Sequence, residues 1–241
     1  METIQLDHHI TIKRSSPISL LFQMKMMKSM WQMYLYLRSP PENKSPFLLK
    51  GDVTSIEACG DDELLLAWHN FAEFQLLLFY NDPSAPDRAI RKKLTTASNF
   101  HFTLMIECFH RCVCLYGAAR RTKKRKYKGQ AKKLRKVIHS WKKVGNPNVV
   151  YYCIFLDAEH AALEGKYDEA ESLYKKAIQF VGRSGILHHS ALFNEYYSDF
   201  LLRQRNDRDE AKYRIEEAIR YYQDWGALGV VERLRKSSLL Q

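Results

Sequence analysis

Glycine and proline are scarce in this chain, at 10 and 7 of its 241 residues. Because these two residues are frequent in turns, their scarcity favours long helices over many short strands joined by tight turns. The hydrophobic content is 46%, enough for a sizeable core, and the apolar residues recur three and four positions apart over long stretches. That period is typical of amphipathic helices. We therefore predict an all-α protein.

A disulfide framework and a membrane signal are also missing. The cysteines are odd in number and lack framework spacing: Cys59, Cys108, Cys112, Cys114 and Cys153. This pattern favours a reduced, intracellular protein, with the cytoplasm as the expected location. Lys25 and Lys28 interrupt the apolar stretch 18–37, so we expect no signal peptide and no transmembrane segment.

The nearest approach to a metal motif is the group Cys108, His110, Cys112 and Cys114. On a helix, Cys108 and Cys112 share one face, whereas the other two point elsewhere. Four ligands on one continuous helix cannot surround a tetrahedral zinc ion. We therefore interpret these thiols as buried core residues and predict no metal site.

Acidic and histidine residues in the second half of the chain form no catalytic pattern. We interpret Asp157, Glu159 and Glu164 as surface charges rather than an acid–base pair. His188 and His189 have no nucleophile or metal ligand nearby in the sequence. We predict that the protein is not an enzyme, has no catalytic residues and binds no cofactor.

Apolar periodicity and helix-ending residues divide the chain into segments. We expect helices at about 18–37, 61–80, 86–96, 99–118, 124–144, 148–164, 166–182, 187–205, 208–224 and 227–238. The first 16 residues show no periodicity and are predicted to be a disordered tail. The remainder is predicted to comprise an N-terminal helical segment, 17–97, and an array of helical hairpins, 98–241.

The stretch from Gly165 to Ile178 has the small-residue spacing of the second helix in a tetratricopeptide hairpin. Its Asp-Glu-Ala at 168–170 recurs at 209–211, and its Ala-Ile at 177–178 recurs at 218–219. Single hairpins cannot bury their apolar faces, whereas stacked hairpins can. We therefore predict a tetratricopeptide-like α-solenoid, with hairpins at about 98–144, 147–183 and 187–224 and a C-terminal capping helix.

Several motifs of the last third fall in a characteristic order. They are Asn148, Asp157-Ala158-Glu159, Ala161 to Lys166, Ala170, Tyr174 to Ile178, Gly185, Ala191 to Glu195, Ala211, Ala218 and the distinctive ending Tyr222-Gln223-Asp224-Trp225-Gly226-Ala227. In these motifs the chain resembles the C-terminal helical repeats of predicted signal-transduction ATPases. Those ATPases occur in multidomain serine/threonine and hybrid histidine kinases, where the repeats follow a nucleotide-binding domain and precede sensor and kinase modules.

The resemblance implies a regulatory or protein-binding region and no catalytic activity. A Gly-x-x-x-x-Gly-Lys-[Ser/Thr] phosphate loop is absent, because Gly165-Lys166 is followed by Tyr167. Kinase signatures are absent as well. The resemblance therefore implies either a fragment without its ATPase and kinase domains or a stand-alone repeat protein.

Acidic residues are missing from Arg120 to Lys143, which contains thirteen lysines and arginines. The net charge is +11, and the remainder of the chain is close to neutral. The candidate anion-binding residues are Arg120, Arg121, Lys123, Lys124, Arg125, Lys126 and Lys128. Two interpretations stay open: a solvated helix surface, or a site for phosphates, nucleic acid, an acidic partner or nuclear import.

Two functions follow as hypotheses. The leading one is a non-catalytic helical-repeat scaffold in signal transduction, which binds a protein partner or a neighbouring signalling domain on its concave face. The alternative is binding of nucleic acid or an anionic surface through the basic segment 120–143.

Overall fold

The computed structural model describes residues 63–91 and 102–236, the short helical stretch 33–38, and residues 27, 30 and 31 before it. Every regular element within these residues is a helix, which confirms the all-α prediction. The α-helices are α1 Glu63–Phe79, α2 Ala85–Arg91, α3 Phe102–Thr122, α4 Arg125–Lys143, α5 Val150–Leu163, α6 Tyr167–Arg183, α7 Leu187–Phe200, α8 Arg208–Asp224 and α9 Leu228–Arg235. The predicted tail 1–16 and Cys59 lie outside the described residues.

The observed helix ends differ from the sequence prediction in three places. Helix α3 continues to Thr122, four residues beyond its expected end. A 3-10 turn, Pro147–Val149, precedes α5, and the Asn146 side chain caps it by accepting a hydrogen bond from the Asn148 backbone nitrogen. The helix expected at 187–205 finishes as a π-helical turn, Leu201–Arg205, which is followed by a left-handed Asn206.

Helices α3 to α8 form three consecutive hairpins, α3–α4, α5–α6 and α7–α8, each closed by a short turn. Gly165 ends α5 and Gly226 follows α8, with φ angles of 79° and 82° that glycine adopts without steric strain. Neighbouring hairpins also touch, because α3 packs on α5 and α6 packs on α7. Helix α9 packs on α8 at the end of the series.

Aromatic rings join the first helices of the three hairpins. Phe109 of α3 stacks on Tyr152 of α5, with ring centroids 4.2 Å apart. Phe155 of α5 stacks on Phe193 of α7 at 4.1 Å. Offset stacking at these distances adds to the hydrophobic contribution of burying the rings. Helices α3, α5 and α7 are therefore joined in one layer, and α4, α6 and α8, here called the outer layer, each pack on the first helix of their own hairpin.

Helix α1 is enclosed by the rest of the chain. Every residue from Asn70 to Phe79 is buried, so α1 has no solvent-facing side over this length. It packs along α3. At its end, the Phe79 ring lies 5.9 Å from the rings of His110 in α3 and Tyr222 in α8, and 5.1 Å from Trp225. Helix α1 thus packs along the first hairpin and meets the end of the last one through Phe79.

Candidate functional site

The basic segment occupies the end of α3, the turn that follows, and α4. Helix α4 forms because its apolar residues fall on one face, where Tyr127, Ala131 and Ile138 are buried. Its cations fall on the remaining surface. The structure therefore spreads the seven candidate anion-binding residues over a helix end, a turn and the start of a second helix.

Two of the seven candidates are neutralised at the surface. Lys126 Nζ lies 2.8 Å from Asp87 Oδ1, and Lys128 Nζ lies 3.0 Å from Glu164 Oε1. Hydrogen bonds from Lys128 and then Lys132 lower the pKa of Glu164 to about 2. Exposed pairs of this kind contribute little to stability, but they reduce the positive potential around the paired lysines.

Four candidates remain exposed and have no ion-pair partner within the described part of the chain: Arg121, Lys123, Lys124 and Arg125. The same holds for Lys133, Lys136, Lys142 and Lys143 farther along α4. Helix α4 begins at Lys124 without a capping side chain, and no acid lies in its first turn. Cations at a helix N-terminus oppose the helix dipole. Positive potential is therefore concentrated where α4 begins.

The seventh candidate, Arg120, is not a surface cation. Its Nη1 donates to the carboxylate of Glu159 in α5, and the arginine side chain is only 14% exposed. Burial is the largest single effect and lowers the pKa of Arg120, but Glu159 and the neighbouring Tyr174 and Asp199 together raise it by more, so the guanidinium stays protonated. Arg120 is thus a structural link between the first and second hairpins.

The interpretation of Glu159 as a surface charge is wrong. Its side chain is completely buried, and it accepts hydrogen bonds from Arg120 and from the Tyr174 hydroxyl of α6. Burial raises the pKa of Glu159 against the opposing effects of these two partners. Its position inside the nearly continuous apolar run of α5 was the available sequence signal. Asp157 and Glu164 are partly exposed and paired, as expected of surface charges.

A second, partly buried carboxylate, which sequence reasoning missed, joins the last three helices. Glu195 of α7 accepts from the Tyr222 hydroxyl of α8 at 3.0 Å and from Arg233 Nη2 of α9 at 2.8 Å. Its side chain is 15% exposed. The chain thus uses a glutamate with one tyrosine and one arginine at two places.

A polar cavity of about 80 Å3 lies between these two networks. The end of α1, the end of α3, and the end of α7 with its π-helical turn form its walls. Its lining consists of Leu78, Asn81, Gly117, Arg120, Arg121, Glu195, Tyr196, Asp199 and Arg203. No sequence motif brings these residues together, because they come from three separate segments.

The buried-thiol interpretation is confirmed for Cys108, Cys112 and Cys114, which are all in the core. Burial raises the pKa of Cys108 and Cys114 to about 12, so both stay as thiols at neutral pH. In the part of the chain that the structure describes, no group of three or more His, Cys, Asp or Glu side chains could hold a metal ion.

Three histidines cluster in the interior. His110 Nε2 of α3 lies 3.4 Å from His189 Nε2 of α7, and the His188 and His189 rings are 4.1 Å apart. Burial lowers the pKa of His110 to about 3, that of His188 to about 4, and that of His189 well below its usual range. All three are neutral at pH 7 and serve as aromatic packing groups.

Known protein families, curated proteins and solved structures contain no match to this chain. The resemblance to signalling ATPases therefore stays a prediction. Among the helices of the described segments, none has both the length and the apolarity to cross a lipid bilayer.

Proposed function

We propose that this protein is a non-catalytic helical-repeat scaffold that binds a protein partner or couples a neighbouring signalling domain. The observation that carries the proposal is the row of three packed hairpins, α3–α4, α5–α6 and α7–α8. Repeats of this kind act through extended surfaces rather than through a reaction centre. The tetratricopeptide-like arrangement and the role in signal transduction are part of this proposal.

The partner surface in this proposal lies on the outer layer. Helix α1 already occupies the surface of α3, so a peptide that binds there would have to displace its buried side chains. The second helices remain open. Each exposes at least one large apolar side chain: Val137 on α4 is 38% exposed, Phe180 on α6 41% and Tyr213 on α8 50%. Aromatic residues surrounded by polar side chains are frequent anchors at protein interfaces.

Crosslinking of the full-length chain in the organism that encodes it tests this proposal. We expect crosslinks from α4, α6 and α8 to one protein or to one domain encoded next to the chain. Phe180→Asp and Tyr213→Asp should abolish these crosslinks. Leu228→Asp is the matched control, because Leu228 is 48% exposed on α9, outside the outer layer. Crosslinks that persist in both aspartate variants would contradict the outer-layer surface.

A second candidate function is binding of nucleic acid through the basic segment. The eight exposed, unpaired cations of the described segment 121–143 favour it, because they concentrate charge that neighbouring acids do not offset. Neutralising phosphates with such side chains releases counterions and makes binding steeply dependent on salt.

Fluorescence anisotropy with a duplex and a single-stranded oligonucleotide tests this second function. Neutralising Lys123, Lys124, Arg125 and Lys126 to glutamine should remove binding and its salt dependence. The matched control neutralises four exposed cations of α6 and α8: Lys176, Arg183, Arg208 and Lys212. Absence of binding by the unaltered chain at low salt would exclude this function, and equal loss in both variants would exclude a specific role for the segment.

A further inference from the structure

We propose that the polar cavity between α1, α3 and α7 binds a small carboxylic acid that carries an adjacent ammonium or hydroxyl group. This proposal is independent of the scaffold function. It rests on the charge balance of the cavity wall, on a glycine inside the last turns of α3, and on the size of the cavity.

The charges around the cavity do not cancel. Asp199 Oδ1 lies 2.6 Å from Arg203 Nε, so that pair compensates itself. Arg120 is neutralised by Glu159, as described above. Arg121 is the remaining cation, and it has no ion pair in the described segments. Since Glu195 is matched by Arg233, the cavity keeps one positive charge at its mouth.

An acidic side chain near Arg121 is already engaged elsewhere. Asp82 borders a smaller neighbouring cavity that Arg121 also lines. Its Oδ1 accepts hydrogen bonds from the Ser84 nitrogen at 2.7 Å and the Ser84 Oγ at 2.6 Å. The Arg121 guanidinium is therefore open to an incoming carboxylate.

Gly117 makes room for that carboxylate. Glycine inside a helix costs about 1 kcal/mol relative to alanine, so a structural or functional reason for it is expected here. A Cβ at this position would lie 3.3 Å from Arg121 Nη1 and 4.0 Å from the Tyr196 hydroxyl. The two polar groups thus converge on the space that the missing Cβ leaves.

Tyr196 supplies a neutral donor at this point. Burial raises the pKa of the Tyr196 hydroxyl well above its usual range, so the group keeps its proton. Arg121 and Tyr196 can both donate to the oxygens of one carboxylate, and a charge-assisted bond from a guanidinium is among the stronger hydrogen bonds.

Two carboxylates of α7 account for the ammonium or hydroxyl group of the proposed ligand. Glu195 and Asp199 also line this cavity, and their oxygens can accept a further hydrogen bond besides those from Tyr222, Arg233 and Arg203. An ammonium or hydroxyl next to the carboxylate would donate to these oxygens, whereas a phosphate dianion would be repelled by them. A volume of about 80 Å3 holds roughly five to eight atoms the size of water, which fits the size of alanine or lactate.

Isothermal titration of the full-length chain at low ionic strength tests the proposal with L-alanine, L-lactate, acetate and inorganic phosphate. We expect saturable binding of alanine or lactate, weaker binding of acetate, and the weakest binding of phosphate. Arg121→Gln should weaken binding about tenfold or more, the effect of one lost charge-assisted hydrogen bond. Gly117→Ala should weaken it as well, because the new methyl group occupies the space for the carboxylate.

Arg125→Gln is the matched control, since Arg125 is an exposed cation in the same basic segment but does not line the cavity. Its affinity should equal that of the unaltered chain. Far-UV circular dichroism checks that each variant is folded. The proposal is overturned if neither alanine nor lactate binds saturably at tens of millimolar, if Arg121→Gln binds as well as the unaltered chain, or if phosphate binds more tightly than both acids.

Discussion

The first and last hairpins place a helix at equivalent positions but begin it with opposite chemistry. In the last hairpin, the Asp207 side chain caps α8 by accepting from the Glu210 nitrogen at 3.1 Å, and Asp209 lies in the first turn. In the first hairpin, α4 begins at Lys124 with no side-chain cap and with cations in its first turn. The start of α8 complements the helix dipole, whereas the start of α4 opposes it.

This difference shows that the buried face of α4, rather than its helix start, keeps it folded, so its exposed cations need another explanation. Helix α4 persists because Tyr127, Ala131 and Ile138 are buried against its neighbours. The cations of its first turn make only surface ion pairs, such as that of Lys126 with Asp87, and they oppose the helix dipole. The contrast with α8 therefore supports a binding role for the basic end of the first hairpin.

The largest effect should come from breaking the buried link that ties the first hairpin to the second. Glu159→Ala would leave the buried Arg120 with only its longer contact to Asp199, at 3.8 Å, which we expect to destabilise the protein by about 3–5 kcal/mol in chemical denaturation. Asp168→Ala is the control, because Asp168 is 91% exposed in its surface pair with Arg205 and its loss should cost less than about 1 kcal/mol. Equal effects of the two changes would contradict the structural role of Glu159.

The next largest effect should be a loss of stability in acid. His110 of α3 and His189 of α7 are buried in their neutral form, so acid favours the unfolded state, in which they can take up protons. The folded-state pKa values of His110 and His189 lie below the unfolded value of about 6.5, so the unfolded state takes up protons first. Their stabilisation is complete above pH 6.5 and is lost progressively as the pH falls toward the folded values. Each should contribute at most about 1.4 kcal/mol per pH unit.

Denaturation midpoints measured between pH 7 and pH 5 would show this loss. His189→Phe should reduce the dependence on pH, because a phenylalanine cannot take up a proton in the unfolded state. His139→Phe provides the opposite control: hydrogen bonding to Asp157 raises the pKa of His139 to about 9, so its stabilisation is lost as the pH rises through that value. Identical profiles for both variants would contradict the assignment.

The smallest effects should come from changing the residues that precede α8 and α4, Asp207 and Lys124. Asp207→Ala should destabilise the protein by about 1 kcal/mol through the lost cap. Lys124→Asp should stabilise it by about 0.5–1 kcal/mol, because it introduces a cap and removes a cation from the helix N-terminus. Thermal unfolding of the two variants measures both signs. A loss of stability in Lys124→Asp would show that the lysine has a structural role after all.

Local patterns allowed most helices to be predicted, because apolar period and turn glycines act within a few residues. Gly165 and Gly226 ended helices where expected. The position of α1 could not be predicted, because its contacts with Trp225 join residues far apart in the chain. The cavity and the buried Glu195 network were missed for the same reason. Arg120 was predicted to be a surface cation, because a run of cations in the sequence does not indicate which of them forms an ion pair with a buried carboxylate.

We hold that α1 is an integral part of the packed core, because it lies along α3 and its Phe79 ring meets Tyr222 and Trp225 at the end of the last hairpin. Native-state amide hydrogen exchange of the full-length chain tests it most directly. We predict that residues 70–79 exchange as slowly as the cores of α3 and α7, because all three should open only in global unfolding. Fast exchange of 70–79 while α3 and α7 stay protected would show that α1 detaches on its own, and would contradict the claim.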